Sequence, residues 1–229
     1  VPSYLYCLQD KNREKVLEEE KILKKFNEKP KKVSSLPNGL EVKEGFFVEN
    51  TYVFHPLKFI YGLIRKSLSE DHQIFEQTTV FKLEKTQEGY VAFTNEAKIK
   101  ANYIVLALHY PFFLFPFFMP LRCYLEKSNL LSTKKEIEAS FAAINLDKPL
   151  LSFRYDRKNS LFVCDSHNLS FSNDKKQVIH KLEKKYPKAK EWSNYDLITP
   201  DFLPYIGQID HNLFLATGYR AWGMINSFL

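Results

Sequence analysis

Two glycines near the end of the chain, Gly218 and Gly223, enclose the short segment Tyr-Arg-Ala-Trp. This loop follows a predicted strand at 213–217 and leads into a predicted helix. Backbone N–H groups of a glycine-flanked loop, together with the positive end of a helix dipole, can approach a ligand that accumulates negative charge. A simpler alternative is that Gly218 only ends a strand and Gly223 only begins a helix.

Few other residues suggest chemistry by their type alone. Arg154 stands between Phe153 and Tyr155 in a predicted strand, where its guanidinium suits an acidic group, although a structural ion pair is an equally open explanation. Tyr52 offers a hydroxyl for the wall of a pocket. The three cysteines lie far apart, without a CxxC pair or a Cys/His spacing suited to zinc, so we predict no metal site.

The composition is that of a folded globular protein. Of the 229 residues, 45% are hydrophobic, which is enough to form a real core. The net charge of +6 is spread over segments in which Lys alternates with Glu, which is typical of a solvated surface and not of a nucleic-acid site. The apolar stretch at 112–121 is shorter than the about 20 residues that a membrane helix needs. We therefore expect no transmembrane segment.

The ends and the cysteines predict the context of the chain. No Met precedes Val1, and the sequence stops at Ser-Phe-Leu inside a predicted helix, so we expect a piece of a longer protein. An odd number of cysteines without a signal peptide favours a cytoplasmic location.

Local patterns predict the elements that position these residues. Helical spacing of apolar residues or helix-start signals predict helices at 10–26, 56–68 and 174–186 and after 223. Short alternating segments at 74–76, 79–83, 90–93 and 97–100 predict a β-meander, and the continuous apolar run at 103–108 predicts a strand buried on both faces. A second, antiparallel sheet is predicted from 124–131, 139–146, 150–155 and 160–164. Further strands are predicted at 4–8, within 42–54, and at 192–198, 205–209 and 213–217.

Two motifs in the last third of the chain carry a family resemblance. Residues 199–207 read TPDFLPYIG, and residues 213–224 read LFLATGYRAWGM. In spacing and order they resemble the strand entry and the glycine loop of the D-amino-acid-oxidase-like (DAO) superfamily of flavoproteins, which includes glycine and sarcosine oxidases. The segments 54–58 and 103–111 are similar to further parts of the same family. The sequence HYPFF at 109–113 resembles amine oxidoreductases, some of which carry a Rieske domain, but Rieske Cys/His pairs do not occur in this chain.

The resemblance implies a mixed α/β fold (α+β), with FAD as the cofactor. Residues 1–120 and 190–229 would be the remainder of a discontinuous FAD-binding domain, with some substrate-domain strands near 42–54, and 121–189 would be a substrate-binding sheet domain. It also implies which residues bind the cofactor. Gly218, Tyr219, Gly223, Met224 and Ile225 would line the isoalloxazine, Val80 would lie beside the adenine, and Ala107 and Leu108 near the pyrophosphate and ribose.

Departures from the family pattern limit what is carried over. No GxGxxG occurs, so the first βαβ unit is missing, and a second polypeptide is one possible source of it. Asp196 stands where amino-acid-oxidising members have an Arg for the substrate carboxylate, and it would attract an ammonium, although it could equally cap a turn or pair with a lysine. Phe202 replaces a Gly, Arg220 and Ala221 depart from the pattern within the flavin loop, and Ile225 replaces a Thr whose hydroxyl could bond to flavin.

These observations predict part of a flavin-dependent oxidoreductase that oxidises a C–N bond of an amine or amino acid by hydride transfer to FAD. The candidate substrate residues are Tyr52, Arg154 and Asp196, and no catalytic residue is assigned. The alternative is a non-catalytic homologue that acts as a binding or scaffold protein.

Overall fold

The computed structural model describes residues 1–69, 71–110, 118–134, 139–148, 150–155, 160–165, 184 and 190–227. The helices are α1 (Arg13–Lys25), α2 (Pro56–Ser67) and α3 (Gly223–Asn226), with 3-10 turns at Asp10–Asn12, Met119–Leu121 and Arg220–Trp222. The strands are β1 (Ser3–Cys7), β2 (Lys31–Lys32), β3 (Glu44–Val48), β4 (Val80–Lys85), β5 (Tyr90–Thr94), β6 (Lys98–Ala101), β7 (Ile104–Leu106), β8 (Tyr124–Thr133), β9 (Phe141–Asn145), β10 (Leu150–Tyr155), β11 (Ser160–Asp165), β12 (Lys190–Ile198), β13 (Tyr205–Asp210) and β14 (Leu213–Thr217).

The chain divides into two compact units, each made of two segments. The first unit contains Val1–Val53 and Glu126–Tyr195, and the second contains Phe54–Leu125 and Asp196–Leu229. The division falls near the predicted boundaries at 120/121 and 189/190, but residues 1–53 group with the sheet at 126–195. Which unit binds cofactor and which binds substrate remains a prediction.

An eight-stranded sheet, in the order β12-β8-β11-β10-β9-β1-β3-β2, is built mainly from the first unit. Strand β8 pairs with β11, β11 with β10, and β10 with β9, and all three pairs are antiparallel, as predicted. Strand β1, in contrast, runs parallel to β9. Stacked and edge-to-face aromatic rings fill one face, where Phe141 contacts Tyr4, Phe153 and Tyr155 at centroid distances of 5.5, 5.9 and 4.9 Å. Such rings bury large apolar areas and therefore dominate the stability of this core.

Helix α1 packs against the same unit through a narrow apolar stripe. Val16 is 1% exposed and contacts Cys7 and Phe46, which agrees with the predicted helix at 10–26. The buried Glu20 carboxylate accepts a 2.7 Å hydrogen bond from Lys24, one turn later. That bond is the largest cause that lowers the pKa of Glu20, so the carboxylate stays ionised.

The second unit contains two three-stranded sheets, β13-β14-β7 and β4-β5-β6. Strand β14 is central because it pairs antiparallel with β13 and parallel with β7. Leu213 and Leu215 of β14 are buried with Leu106, Met119 and Tyr90, and together they form the core of this unit. The predicted meander is confirmed at β4 to β6, but residues 74–76 form no strand, since they lie in an exposed connection ahead of β4.

A polar cluster connects the meander to the β13–β14 hairpin. Lys85 Nζ lies 2.7 and 2.9 Å from the two carboxylate oxygens of Asp210, and the Tyr90 hydroxyl donates to the His211 carbonyl at 3.0 Å. The hydrogen bond from Lys85, followed by that from the His211 N–H, lowers the pKa of Asp210. The cluster therefore fixes β4 and β5 beside β13 through groups that are charged at neutral pH.

Two apolar elements of the second unit are far more exposed than the sequence predicted. Strand β7 is an edge strand, and its Val105 side chain is 65% exposed, so the prediction of a strand buried on both faces is wrong for this chain. Helix α2 begins as predicted, with the His55 side chain accepting from the Lys58 N–H, yet none of its residues is buried. Nothing in the described part of the second unit covers these faces.

Some predictions fall on residues that the structure does not describe. The predicted helix at 174–186 lies outside the described residues except for Lys184, and most of the apolar stretch at 112–121 does as well. Within the described ranges no helix has both the length and the apolar character needed to cross a bilayer.

Candidate functional site

The candidate site lies where the parallel strands β7 and β14 end. Carboxyl ends of parallel strands meet at one edge of a sheet, and this edge is the usual ligand-binding position in open α/β sheets. Thr217, the last residue of β14, is 1% exposed, and its Oγ1 lies 2.6 Å from the Leu108 carbonyl and 3.1 Å from that of His109. The hydroxyl therefore joins the loop after β7 (residues 107–109) to the loop after β14 (residues 218–223).

Gly218 brings the 218–223 loop against the segment that begins at Thr199. Its φ of +76° lies in the left-handed region that favours glycine, and a Cβ there would stand 2.7 Å from the Cγ2 methyl of Thr199. Thr199 is fully buried, so it has little room to move. Glycine is required at 218 for both conformation and space. At Gly223, in contrast, a Cβ would make only an ordinary 3.5 Å contact with Tyr219.

Thr199 also organises the turn at residues 199–204, between β12 and β13. Its Oγ1 donates to the Leu203 carbonyl at 2.8 Å, and its carbonyl accepts from the Phe202 N–H at 3.1 Å. The Asp201 carboxylate accepts from the Leu203 N–H at 3.1 Å. These bonds hold Phe202 at a φ of +64°, a left-handed conformation that costs free energy for a residue with a side chain.

The end of the 218–223 loop differs from the helix start that the sequence suggests. Residues Arg220–Trp222 form a 3-10 turn, and α3 follows as a single turn over Gly223–Asn226. One turn of helix has only a small dipole, so it contributes little to the binding of an anionic ligand. Gly223 and Met224 are half-buried there, and the side chain of Ile225 lies outside the description.

The remaining cofactor candidates also belong to the second unit. Val80 begins β4, where it pairs with Thr94 and is 38% exposed. Ala107 is exposed and Leu108 half-buried in the loop that Thr217 binds. The structure thus brings Ala107 and Leu108 together with the 218–223 loop at one sheet edge.

The three substrate candidates are divided between the units. Tyr52 is 93% exposed in the first unit, after β3, and Arg154 is half-buried in β10 of the same unit. Asp196 is half-buried near the end of β12, in the second unit.

A small cavity of about 200 Å³ lies against the outer part of β13 and is lined by Met119, Arg122, Tyr205 and Leu215, among others. The Tyr205 hydroxyl donates to the Arg122 carbonyl at 3.2 Å. Burial raises the pKa of Tyr205, and the nearby Asp201 carboxylate raises it further, so the phenol stays protonated at neutral pH. The cavity is smaller than the about 300 Å³ at which ligand pockets usually begin.

Comparisons with known proteins agree with the motifs. The model of the DAO family, described as FAD dependent oxidoreductase, matches residues 5–229. A relative from Bacillus subtilis (strain 168), named "Putative Rieske 2Fe-2S iron-sulfur protein YhfW", is 25% identical over 98% of this chain. The chain spans 47% of that relative, about half its length.

Solved structures with the same fold are much less similar in sequence. L-proline dehydrogenase from P. horikoshii has a TM-score of 0.72 at 14% identity, over 98% of this chain and 68% of that one. Glycine oxidase from Bacillus cereus ATCC 14579 has a TM-score of 0.70 at 12% identity, over 97% of this chain and 68% of that one. Iminodiacetate oxidase from Chelativorans sp. BNC1 has a TM-score of 0.72 at 10% identity, over 98% of this chain and 68% of that one. At such identities these structures establish the mixed α/β fold.

Proposed function

Since this chain belongs to the DAO family of FAD-dependent oxidoreductases, we propose that it is the part of an enzyme that holds the flavin ring while a C–N bond of an amine or amino acid is oxidised. The junction made by Thr217 at the carboxyl edge of β7 and β14 supports this proposal most. When bound, FAD would supply the oxidising chemistry by taking up a hydride from the carbon of that C–N bond, and the imine product would then be hydrolysed by water.

The 218–223 loop fits a ligand that gains negative charge. No Asp or Glu occurs in residues 218–224, and Arg220 contributes a positive charge. The left-handed Gly218 turns the backbone at the start of the loop, where the exposed Ala107 of the neighbouring loop leaves space. We assign the isoalloxazine to Gly218, Tyr219, Gly223, Met224 and Ile225, the pyrophosphate and ribose to Ala107 and Leu108, and the adenine to Val80.

The substrate assignment depends on charge. The Asp196 carboxylate, half-buried in the same unit as the cofactor candidates, favours a cationic amine over a second carboxylate. Arg154 is the candidate for an acidic group and Tyr52 for a hydrogen bond, both from the first unit. No side chain is assigned as a general base: a substrate that arrives as an ammonium would release its proton to water, and hydride transfer from the resulting neutral amine requires no further base.

The pyrophosphate-binding strand, turn and helix are proposed to come from polypeptide outside this sequence, in the same or a second chain. The sequence contains no GxGxxG, and the described residues do not cover β7 and α2, two apolar elements of the second unit. Among the described strands none pairs with the outer edge of β7, and Val105 is exposed, whereas parallel strands are normally buried on both faces. A further strand beside β7 would satisfy that edge.

The first test is an FAD titration, followed by visible absorption and FAD fluorescence, on this chain and on any longer form that its gene encodes. We expect the longer form to bind FAD stoichiometrically and appear yellow, and this chain to bind weakly or not at all. Anaerobic addition of primary and secondary amines should then bleach the flavin absorption of the longer form. If neither form binds FAD, the enzyme proposal fails and a binding or scaffold role replaces it.

A further inference from the structure

Two residues with side chains adopt the left-handed conformation on facing loops of the candidate site. Phe202, in the 199–204 turn, has a φ of +64°, and Arg220, in the 218–223 loop, has a φ of +55°. Each conformation costs free energy relative to glycine, and such outliers persist where the surrounding structure fixes them, often at functional sites. Both positions depart from the family pattern, as the sequence already indicated.

The two residues contact each other. The guanidinium carbon of Arg220 lies 4.4 Å from the centre of the Phe202 ring, which is the geometry of a cation–π contact. Phe202 is 54% exposed and Arg220 is half-buried. Among the described residues Arg220 contacts the Phe202 ring and forms no ion pair with a carboxylate.

The contact completes a two-point connection between the loops. At the base, Gly218 packs its backbone against the Thr199 methyl group. At the tip, Arg220 lies over Phe202, whose own backbone is fixed by the Phe202 N–H to Thr199 carbonyl bond. A loop held at two points has fewer conformations available before a ligand arrives, so binding costs less ordering entropy.

We propose that Phe202 and Arg220 form a clasp that fixes the 218–223 loop in its flavin-contacting conformation. Both are positioning residues, and neither is assigned a contact with the reacting atoms. The inference rests on the proposed function, because the loop must face FAD for its order to affect the cofactor. It explains why a glycine position is occupied by a strained aromatic residue.

The clasp predicts coupling in a double-mutant cycle. Phe202→Leu and Arg220→Met, each in the FAD-binding form of the protein, should weaken FAD binding about two- to fivefold. The double variant should lose no more than the larger single loss, since either change breaks the same contact. Phe202→Tyr keeps the ring and should bind FAD as the unchanged protein does. As a control, Lys31→Met removes a cation 5.8 Å from the Phe47 ring in the first unit and should leave FAD affinity unchanged.

A second measurement separates this inference from the proposed function. The Trp222 N–H donates to the Tyr219 carbonyl at 3.0 Å, so its hydrogen-exchange rate reports the order of the loop without cofactor. Phe202→Leu and Arg220→Met should each accelerate that exchange, whereas Phe202→Tyr and Lys31→Met should not. The clasp is overturned if the losses of FAD affinity in the two single variants multiply in the double variant. It is also overturned if neither single variant changes the hydrogen-exchange rate of the Trp222 N–H. In both cases the flavoenzyme proposal stands. If the unchanged protein fails to bind FAD, the proposed function and the cofactor role of the clasp are both overturned. Hydrogen exchange at the Trp222 N–H then still decides whether the clasp exists.

Discussion

Gly218 is the residue at which the 218–223 loop packs against the side chain of Thr199 in the 199–204 turn. Its left-handed conformation disfavours any side chain, and the space that a Cβ would need is occupied by the buried Thr199 methyl group. Gly39 has a similar φ of +80°, yet nothing lies within 4 Å of its Cβ position. A side chain at either position costs free energy through the left-handed conformation, but only at 218 does it also cost free energy through a steric clash.

We expect Gly218→Ala to lower the free energy of unfolding by about 2 to 3 kcal/mol and Gly39→Ala by about 1 kcal/mol, because only the former adds a steric clash. Urea denaturation measures both. Adding Thr199→Ser, which removes the methyl group but keeps the hydroxyl, should recover much of the loss in Gly218→Ala. Equal losses in the two alanine variants would contradict the close approach at Gly218.

Thr217 and the Phe202–Arg220 contact illustrate which site features sequence alone could not supply. Thr217 bonds to carbonyls more than a hundred positions earlier in the chain, and a threonine at a strand end has no local signature for such a partner. The sequence showed that Arg220 departs from the family pattern. Its contact with the Phe202 ring, however, depends on how the 199–204 turn and the 218–223 loop fold beside each other. Gly218, in contrast, was predictable because its requirement is a local backbone conformation.

At the scale of elements, the Lys85–Asp210 ion pair determines how the meander is held to the hairpin. The pKa of Asp210 is lowered mainly by its hydrogen bond with Lys85. A carboxylate whose folded pKa lies below the ordinary value of about 3.9 stabilises the fold above that value, and the contribution is lost as the pH falls through the folded pKa.

We therefore expect the thermal midpoint to fall as the pH is lowered from about 5 to about 3, and Asp210→Asn to reduce this slope. Differential scanning calorimetry across this range measures it. Asp71→Asn is the control, because Asp71 is exposed and forms no ion pair among the described residues. If both variants keep the original slope, the Lys85–Asp210 pair does not hold the meander.

Elements with strong local signals were predicted well. Helices α1 and α2 and the hairpin strands β13 and β14 follow from apolar spacing, from Pro56 after its capping His55, and from turn residues. The central place of β1 was not predictable, since its parallel partner β9 lies far along the chain. Periodicity identifies a strand but not its neighbours.

At the scale of the whole molecule, α2 carries apolar residues that this chain leaves in contact with solvent. Leu57, Ile60 and Leu63 are 57, 39 and 47% exposed. A helix as short as α2 is marginal in water without packing, so these side chains fit a surface that the described residues do not supply.

Ile60→Glu should change the free energy of unfolding of this chain by less than about 0.5 kcal/mol, because no packing is lost. Leu131→Ala, at a fully buried position, should cost about 2 to 5 kcal/mol and serves as the comparison. In a longer form whose added polypeptide covers α2, Ile60→Glu should become clearly destabilising. A large loss in this chain would mean that α2 already packs within it.

The placement of β1 between β3 and β9 has a consequence for the order in which the protein is made. β1 leaves the ribosome well before β9, so its hydrogen bonds to 142–145 wait until β9 has been translated. The second unit waits longer, because β7 pairs with 213–215. Until these later strands are made, both units expose strand edges and aromatic side chains, and such intermediates are prone to aggregate. Yield in a cell should therefore depend on chaperones that hold nascent chains more than on the stability of the finished fold.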